Sequence, residues 1–124
     1  MITLINFIKH HWLIISLVLM AIIATLSLWP ADQLPQVPGS DKSHHFISYG
    51  ALIFPIALRK PKYCSWVVLG FAMFSGVIEL IQPYVNRYGE WLDMGANIAG
   101  LMFGWLAANI LLYFYADNTV NTAK

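Results

Sequence analysis

The chain has 124 residues, of which 59% are hydrophobic and only 10% are Asp, Glu, Lys or Arg. An ordinary soluble domain carries about 25% charged residues, and a small domain needs more polar cover than a large one. The formal net charge is +1, and the sequence has no basic run of the kind that neutralises phosphates. The composition therefore excludes a soluble monomer, a disordered chain and a nucleic-acid binder. It predicts an integral membrane protein with about four spans.

Uninterrupted apolar stretches predict where the chain crosses the membrane, because a span needs about 20 mainly apolar residues. Pro30 ends the first stretch, since proline lacks the N–H that a continuing helix requires. The predicted spans are 11–29, 41–58, 63–81 and 93–113. We therefore expect an all-α fold, a four-helix transmembrane bundle that forms a single domain over residues 1–124.

The first span could also be a secretory signal peptide, because Lys9 precedes it and Thr25-Leu26-Ser27 resembles a cleavage site. The apolar run from Leu13 is longer than the core of such a peptide, which has about 7–15 residues. We therefore expect an uncleaved anchor.

The basic residues in the short loops predict the orientation of the chain. With a cytoplasmic N-terminus, the outer segments hold only Lys42 and Arg87. The cytoplasmic segments then hold five of the seven Lys and Arg residues: Lys9, Arg59, Lys60, Lys62 and Lys124. This bias predicts that the N-terminus and the C-terminus are both cytoplasmic.

Polar side chains collect at the predicted outer ends of spans two and three, where ionisable groups are costly and indicate a functional site by default. Asp41, His45 and Tyr49 are spaced four residues apart and share one helical face. Asp41 could also cap the helix. Glu79 and Gln82 share a face of the third span. Candidate partners of the Glu79 carboxylate are Lys42, His45 and Arg87.

The fourth span opens with a stripe of polar and small residues, beginning with Asp93 and Asn97. Gly100 and Gly104 continue the stripe as a GxxxG pattern, which allows helices to approach closely in a membrane. Packing is the simplest interpretation of these glycines, and an oligomer formed through the Gly100/Gly104 face is possible. Arg87, in the preceding loop, could pair with Glu79 or Asp93, or contact lipid phosphate.

The polar residues from three spans and one loop are expected to converge, and their chemistry allows three interpretations. The cations and His45 could hold a phosphate, or the carboxylates and His45 could hold a divalent metal. The set could instead be an ion network that locks three helices. The sequence shows no nucleophile elbow, P-loop or Cys/His zinc pattern, and it requires no cofactor. Cys64 is the only cysteine, which excludes an internal disulfide, and we interpret it as a small apolar filler.

These residues carry a resemblance to the VanZ-like family. Asp41-Lys42-x-x-His45-Phe46 with Tyr49 resembles its first motif, and Glu79-x-x-Gln82, Arg87 and Asp93-x-x-x-Asn97-x-x-Gly100 are similar to its second and third motifs. Where this chain has Val85-Asn86-Arg87, members of the family often have Pro-Gly-Arg. The resemblance implies a small polytopic protein of the bacterial inner membrane, related to the teicoplanin-resistance protein VanZ.

The leading hypothesis is an outward-facing pocket that binds an anionic envelope component, such as the phosphate of a lipid-linked precursor. Its ligand-binding residues would be Asp41, Lys42, Tyr49, Gln82, Arg87 and Asn97. An alternative is a membrane-embedded enzyme in which His45, Glu79 and Asp93 exchange protons. A second alternative is a structural scaffold in which the polar cluster only locks the helices. The sequence favours a role without catalysis, and the expected partner is the lipid bilayer.

Overall fold

The computed structural model describes residues 2–33 and 38–121 of the chain. Within these ranges the chain is helical and contains no strand, which confirms the predicted all-α class. Short 3₁₀ turns follow the second and fourth α-helices, at Ala31–Gln33 and Gln82–Val85. The α-helices are α1 (Ile2–His10), α2 (Trp12–Leu28), α3 (Asp41–Arg59), α4 (Cys64–Ile81) and α5 (Trp91–Asn121).

Four of these helices lie where the sequence predicts spans. The bounds of α2, α3 and α4 agree with the predicted ones to within one residue, while α5 continues past the predicted end at residue 113. The sequence analysis missed α1, which precedes α2 and is bent by 73° from it at a break around His11. The backbone of His11 is not helical at this break, with φ −98° and ψ 17°.

Two helical segments, Cys64–Val85 and Trp91–Tyr115, are long and apolar enough to cross a membrane, and the bent pair formed by α1 and α2 would be a third. Large apolar side chains on one face of α4 are exposed, among them Leu69, Met73, Val77 and Leu80. An exposed apolar face of this extent is costly in water and favourable in lipid. The structure therefore fits a membrane protein.

Helix α3 is the centre of the fold, because Leu52, Ile53 and Ile56 on it are almost completely buried. Helix α5 packs against α3 more extensively than any other pair of helices packs. A Cβ atom at Gly100 would overlap the carbonyl oxygen of Phe46, and one at Gly104 would overlap that of Gly50. The close approach predicted from these glycines thus occurs within the chain. The Gly100/Gly104 face therefore packs against α3.

The ends of four helices gather on one side of the molecule. The side chain of Gln82, after α4, donates a hydrogen bond to the backbone of Ser27 near the end of α2. Lys42, in the first turn of α3, pairs with Glu90 just before α5. We call this region the polar end: the last turns of α2 and α4, the first turns of α3 and α5, and residues 82–90. Successive helices from α2 to α5 therefore run in alternating directions.

Candidate functional site

The nine site residues predicted from the sequence lie at the polar end or in the helix turns directly beneath it. Helix α3 contributes four of them, and α5 contributes two. The remaining three lie on α4 or in the residues that follow it. The predicted residues are Asp41, Lys42, His45, Tyr49, Glu79, Gln82, Arg87, Asp93 and Asn97.

A chain of buried hydrogen bonds joins three helices beneath this cluster. The Nδ1 atom of His45 lies 3.0 Å from the Oδ1 atom of Asn97. The Nδ2 atom of Asn97 donates to the hydroxyl of Ser75 on α4, at 2.7 Å. All three side chains are buried, and the Tyr49 hydroxyl lies beside Ser75. Buried polar groups are stable when they are hydrogen-bonded, so this chain fixes the relative positions of α3, α4 and α5.

The same series of hydrogen bonds sets the orientation of the His45 ring. Because the amide nitrogen of Asn97 donates to Ser75, its oxygen faces His45 and accepts from the Nδ1–H of the imidazole. In the neutral imidazole, the Nε2 atom then carries the free lone pair. His45 thus keeps Nε2 as an acceptor nitrogen that Asn97 does not occupy.

The two fixed cations lie at the rim and are paired with acids. Lys42 donates to Glu90 at 2.8 Å and lies 3.6 Å from the Oδ1 atom of Asp93. The hydrogen bond to Glu90 raises the pKa of the Lys42 ammonium above its ordinary value. Arg87 lies 3.6 Å from the Oδ1 atom of Asp41. The last two contacts are longer than a charge-assisted hydrogen bond.

Glu79 is buried, with only 7% of its surface exposed, and does not pair with a fixed cation as the sequence suggested. Lys42 and Arg87 pair with other acids instead. The backbone N–H of Glu90 approaches the Glu79 carboxylate, but neither oxygen makes a hydrogen bond of standard geometry within the described residues. The Glu79 carboxylate is close enough to His45, Asp93 and Asp41 to interact with them electrostatically.

Two side chains of the polar end hold the end of α2. The last carbonyls of a helix have no partner within it. Gln82 donates to the carbonyl of Ser27 at 3.2 Å, and Arg87 donates to that of Leu26 at the same distance. The Arg87 cation also suits the negative end of the helix dipole. Both residues were predicted to bind a ligand, and the structure gives them a positioning role as well.

The loop before Arg87 departs from the Pro-Gly-Arg pattern without losing the turn. Asn86 has a φ of +61°, in the left-handed region, where glycine is the usual residue and asparagine is tolerated. The backbone N–H groups of Asn86 and Arg87 both donate to the carbonyl of Gln82. Asn86 therefore closes the turn that the glycine would close.

Two side chains of the cluster and one close backbone contact were not predicted from the sequence. Ser75 precedes Glu79 by one helical turn, and this spacing could have revealed it. Glu90 pairs with Lys42 across 48 residues, which no local pattern indicates. A Cβ at Gly89 would overlap the backbone carbonyl of Glu79, so this loop lies directly on the end of α4.

The cluster contains more acids than fixed cations. Four carboxylates, from Asp41, Glu79, Glu90 and Asp93, face the two cations Lys42 and Arg87. At its rim the Lys42–Glu90 pair is about half exposed and contributes little free energy, whereas the Arg87 side chain is only 12% exposed. Its interior, with carboxylates beside an imidazole, has the chemistry of a cation site.

Comparison with known proteins identifies the family of the chain. The sequence profile of the family described as VanZ/LLP1 matches residues 3–112, which is most of the chain. Neither a curated protein nor a solved structure matches the chain significantly. The matched range includes every residue of the polar end, along with all the helices that place them. The chain belongs to the VanZ/LLP1 family.

Proposed function

We propose that this VanZ-family membrane protein binds the anionic headgroup of a lipid-linked envelope component at its polar end. The observation that carries the proposal is the position of Lys42 and Arg87. Both cations lie on the rim of a buried polar cluster, and the helices below them expose apolar faces to lipid. A lipid whose chains lie along those faces would bring its phosphate to the level of the two cations.

The rim pairs are suited to exchange. Lys42 and Glu90 are each about half exposed, so their ion pair is screened by solvent. Asp41 is also exposed, and its contact with Arg87 is 3.6 Å long. A phosphate offers several acceptor oxygens and pairs bidentately with a guanidinium, so it can replace both carboxylates. The N-terminal ends of α3 and α5 add positive partial charge on the same side.

Removing both rim cations is expected to weaken the binding of lipid phosphate. We expect purified wild-type protein in detergent to bind undecaprenyl phosphate, and Lys42→Ala/Arg87→Ala to bind it at least tenfold more weakly. Microscale thermophoresis after EDTA treatment would measure both affinities. Lys60→Ala/Lys62→Ala is the control, because these lysines lie beyond the other end of α3. Equal affinities for wild type and the polar-end variant would refute the proposed pocket.

We also propose an inner-membrane, multi-pass orientation with the polar end outside. The basic residues Arg59, Lys60 and Lys62 follow the end of α3, at the side away from the polar end. Lys42 and Arg87 are the two cations that oppose this bias, and carboxylates pair with both of them. Acids contribute little to this rule, so the orientation rests on the larger number of basic residues on the side away from the polar end.

Cysteine accessibility would test this orientation. In a Cys64→Ser background, Tyr88→Cys and Lys62→Cys place single thiols at exposed positions on opposite sides. In intact bacterial cells, we expect a membrane-impermeant maleimide to label the thiol at position 88. The thiol at position 62 is expected to react only after the cells are permeabilised. The reverse labelling pattern would show that the polar end faces the cytoplasm.

A further inference from the structure

We propose that Asp41, His45 and Asp93 form a binding site for one divalent transition-metal ion, with Glu79 beside it. A ring nitrogen of His45 and one carboxylate oxygen from each aspartate lie within 4.8 Å of one another. His45 and Asp93 are buried, whereas Asp41 is exposed and closes the site toward solvent. The donors therefore come from two helices and converge on a single position.

The distances between these donors are compatible with a metal after small side-chain rotations. Metal bonds to imidazole nitrogen and carboxylate oxygen are about 2.0–2.2 Å long, which places neighbouring ligand atoms roughly 3.4 Å apart in a tetrahedral site. Lys42 and Arg87 contact the two aspartates only at 3.6 Å. The Oδ1 atom of Asp93 accepts no hydrogen bond within the described residues. Both carboxylates can therefore turn toward an ion without losing a short bond.

The burial of the Glu79 carboxylate is an independent indication of a cation site. This carboxylate is more than nine-tenths buried, interacts electrostatically with the three donors, and has no hydrogen bond of standard geometry in the described part of the chain. An unpaired carboxylate in such surroundings carries a desolvation cost that a bound cation would offset. Glu79 is thus a carboxylate of this cluster that neither Lys42 nor Arg87 pairs with.

The His45 ring is oriented as a metal ligand requires. A metal-bound histidine usually donates its second ring N–H to an oxygen, which fixes the tautomer and the direction of the ligating nitrogen. Asn97 accepts from the Nδ1–H of His45 and is itself held by Ser75. The Nε2 lone pair is then free for the ion. One imidazole with two or three carboxylates suits Zn²⁺ or Mn²⁺ better than Ca²⁺ or Mg²⁺.

This metal site is independent of the phosphate ligand, so it is tested without any lipid. Purified protein in detergent would be stripped with EDTA, dialysed against Zn²⁺ or Mn²⁺ alone, desalted and analysed for metal content. We expect about one ion per wild-type chain. His45→Ala and Asp93→Asn are expected to lower the affinity at least tenfold. The matched control is His44→Ala, because the adjacent His44 side chain contacts the carbonyl of Pro38 and lies outside the donor set.

Two further measurements test the metal site even if a variant fails to fold. Circular dichroism would verify the helix content of each variant before its metal content is interpreted. In the wild-type protein, saturating Zn²⁺ or Mn²⁺ should raise the melting temperature, since an ion that binds only the folded state stabilises it. Folded wild-type protein that retains neither metal would overturn the proposal. Equal loss of metal in His44→Ala and His45→Ala would also overturn it.

Discussion

Gly104→Ala is expected to destabilise the protein strongly, although it adds only one methyl group to α5. The added Cβ would overlap the backbone carbonyl of Gly50 and a methyl group of Ile53, both on the central helix. A backbone carbonyl cannot rotate away, so α5 would have to move off α3 along their shared length. Overpacking of this kind costs about 1–3 kcal/mol, and we expect a value near 3 kcal/mol here.

Thermal unfolding in detergent, followed by circular dichroism, would measure this loss. Gly95→Ala provides the control on the same helix, because a Cβ there meets nothing within 4 Å. It should leave the melting temperature unchanged or raise it slightly, since alanine favours helix more than glycine does. If Gly104→Ala and Gly95→Ala melt alike, α3 and α5 do not pack through the glycine face.

Asn97→Ala is expected to produce the second largest effect, because it removes the centre of the buried hydrogen-bond chain. The Nδ1–H of His45 and the hydroxyl of Ser75 would both lose their partner. An unsatisfied buried group costs about 1–3 kcal/mol, although hydrogen bonds between membrane helices average nearer 0.6 kcal/mol. We therefore expect a total loss of about 2 kcal/mol, with a lower melting temperature in detergent.

The matched variant is Asn109→Ala on the same helix. Among the residues that the structure describes, Asn109 donates only to the carbonyl of Trp105, one turn earlier, so its loss separates no helices. We expect it to melt close to wild type. Nitrogen NMR of the His45 ring would give a second readout: Nδ1 should carry the proton in wild type, and the two tautomers should mix in Asn97→Ala. Unchanged tautomer populations in that variant would contradict the proposed role of Asn97.

The sequence predicted most of the fold because apolar length and helix-ending residues are local properties. Pro30 ends the stretch that becomes α2, and the turn from Arg59 to Lys62 separates α3 from α4, as the structure shows. Helix α1 was missed because it is short and not apolar enough to suggest a span. Helix α1 packs against α3, and no local pattern encodes that contact.

The members of the site could be predicted, but its pairings could not. The spacing of Asp41, His45 and Tyr49 places them on one helical face whatever the loops do. Which acid meets Arg87 depends on the path of residues 86–90, and that path sends it to Asp41 and the end of α2. Of the partners proposed for Glu79, His45 interacts with its carboxylate, whereas Lys42 and Arg87 pair with other acids.

The hydrogen bonds that hold α2 have a consequence for biosynthesis. The groups that bind its last carbonyls lie 55 and 61 residues further along the chain. When α2 first leaves the ribosome and enters the bilayer, neither donor has yet been translated. The last carbonyls of α2 must then rely on water and lipid headgroups until residue 87 has been made. The insertion of α2 and its attachment to the other helices are therefore separate events. The attachment requires residues from the second half of the chain.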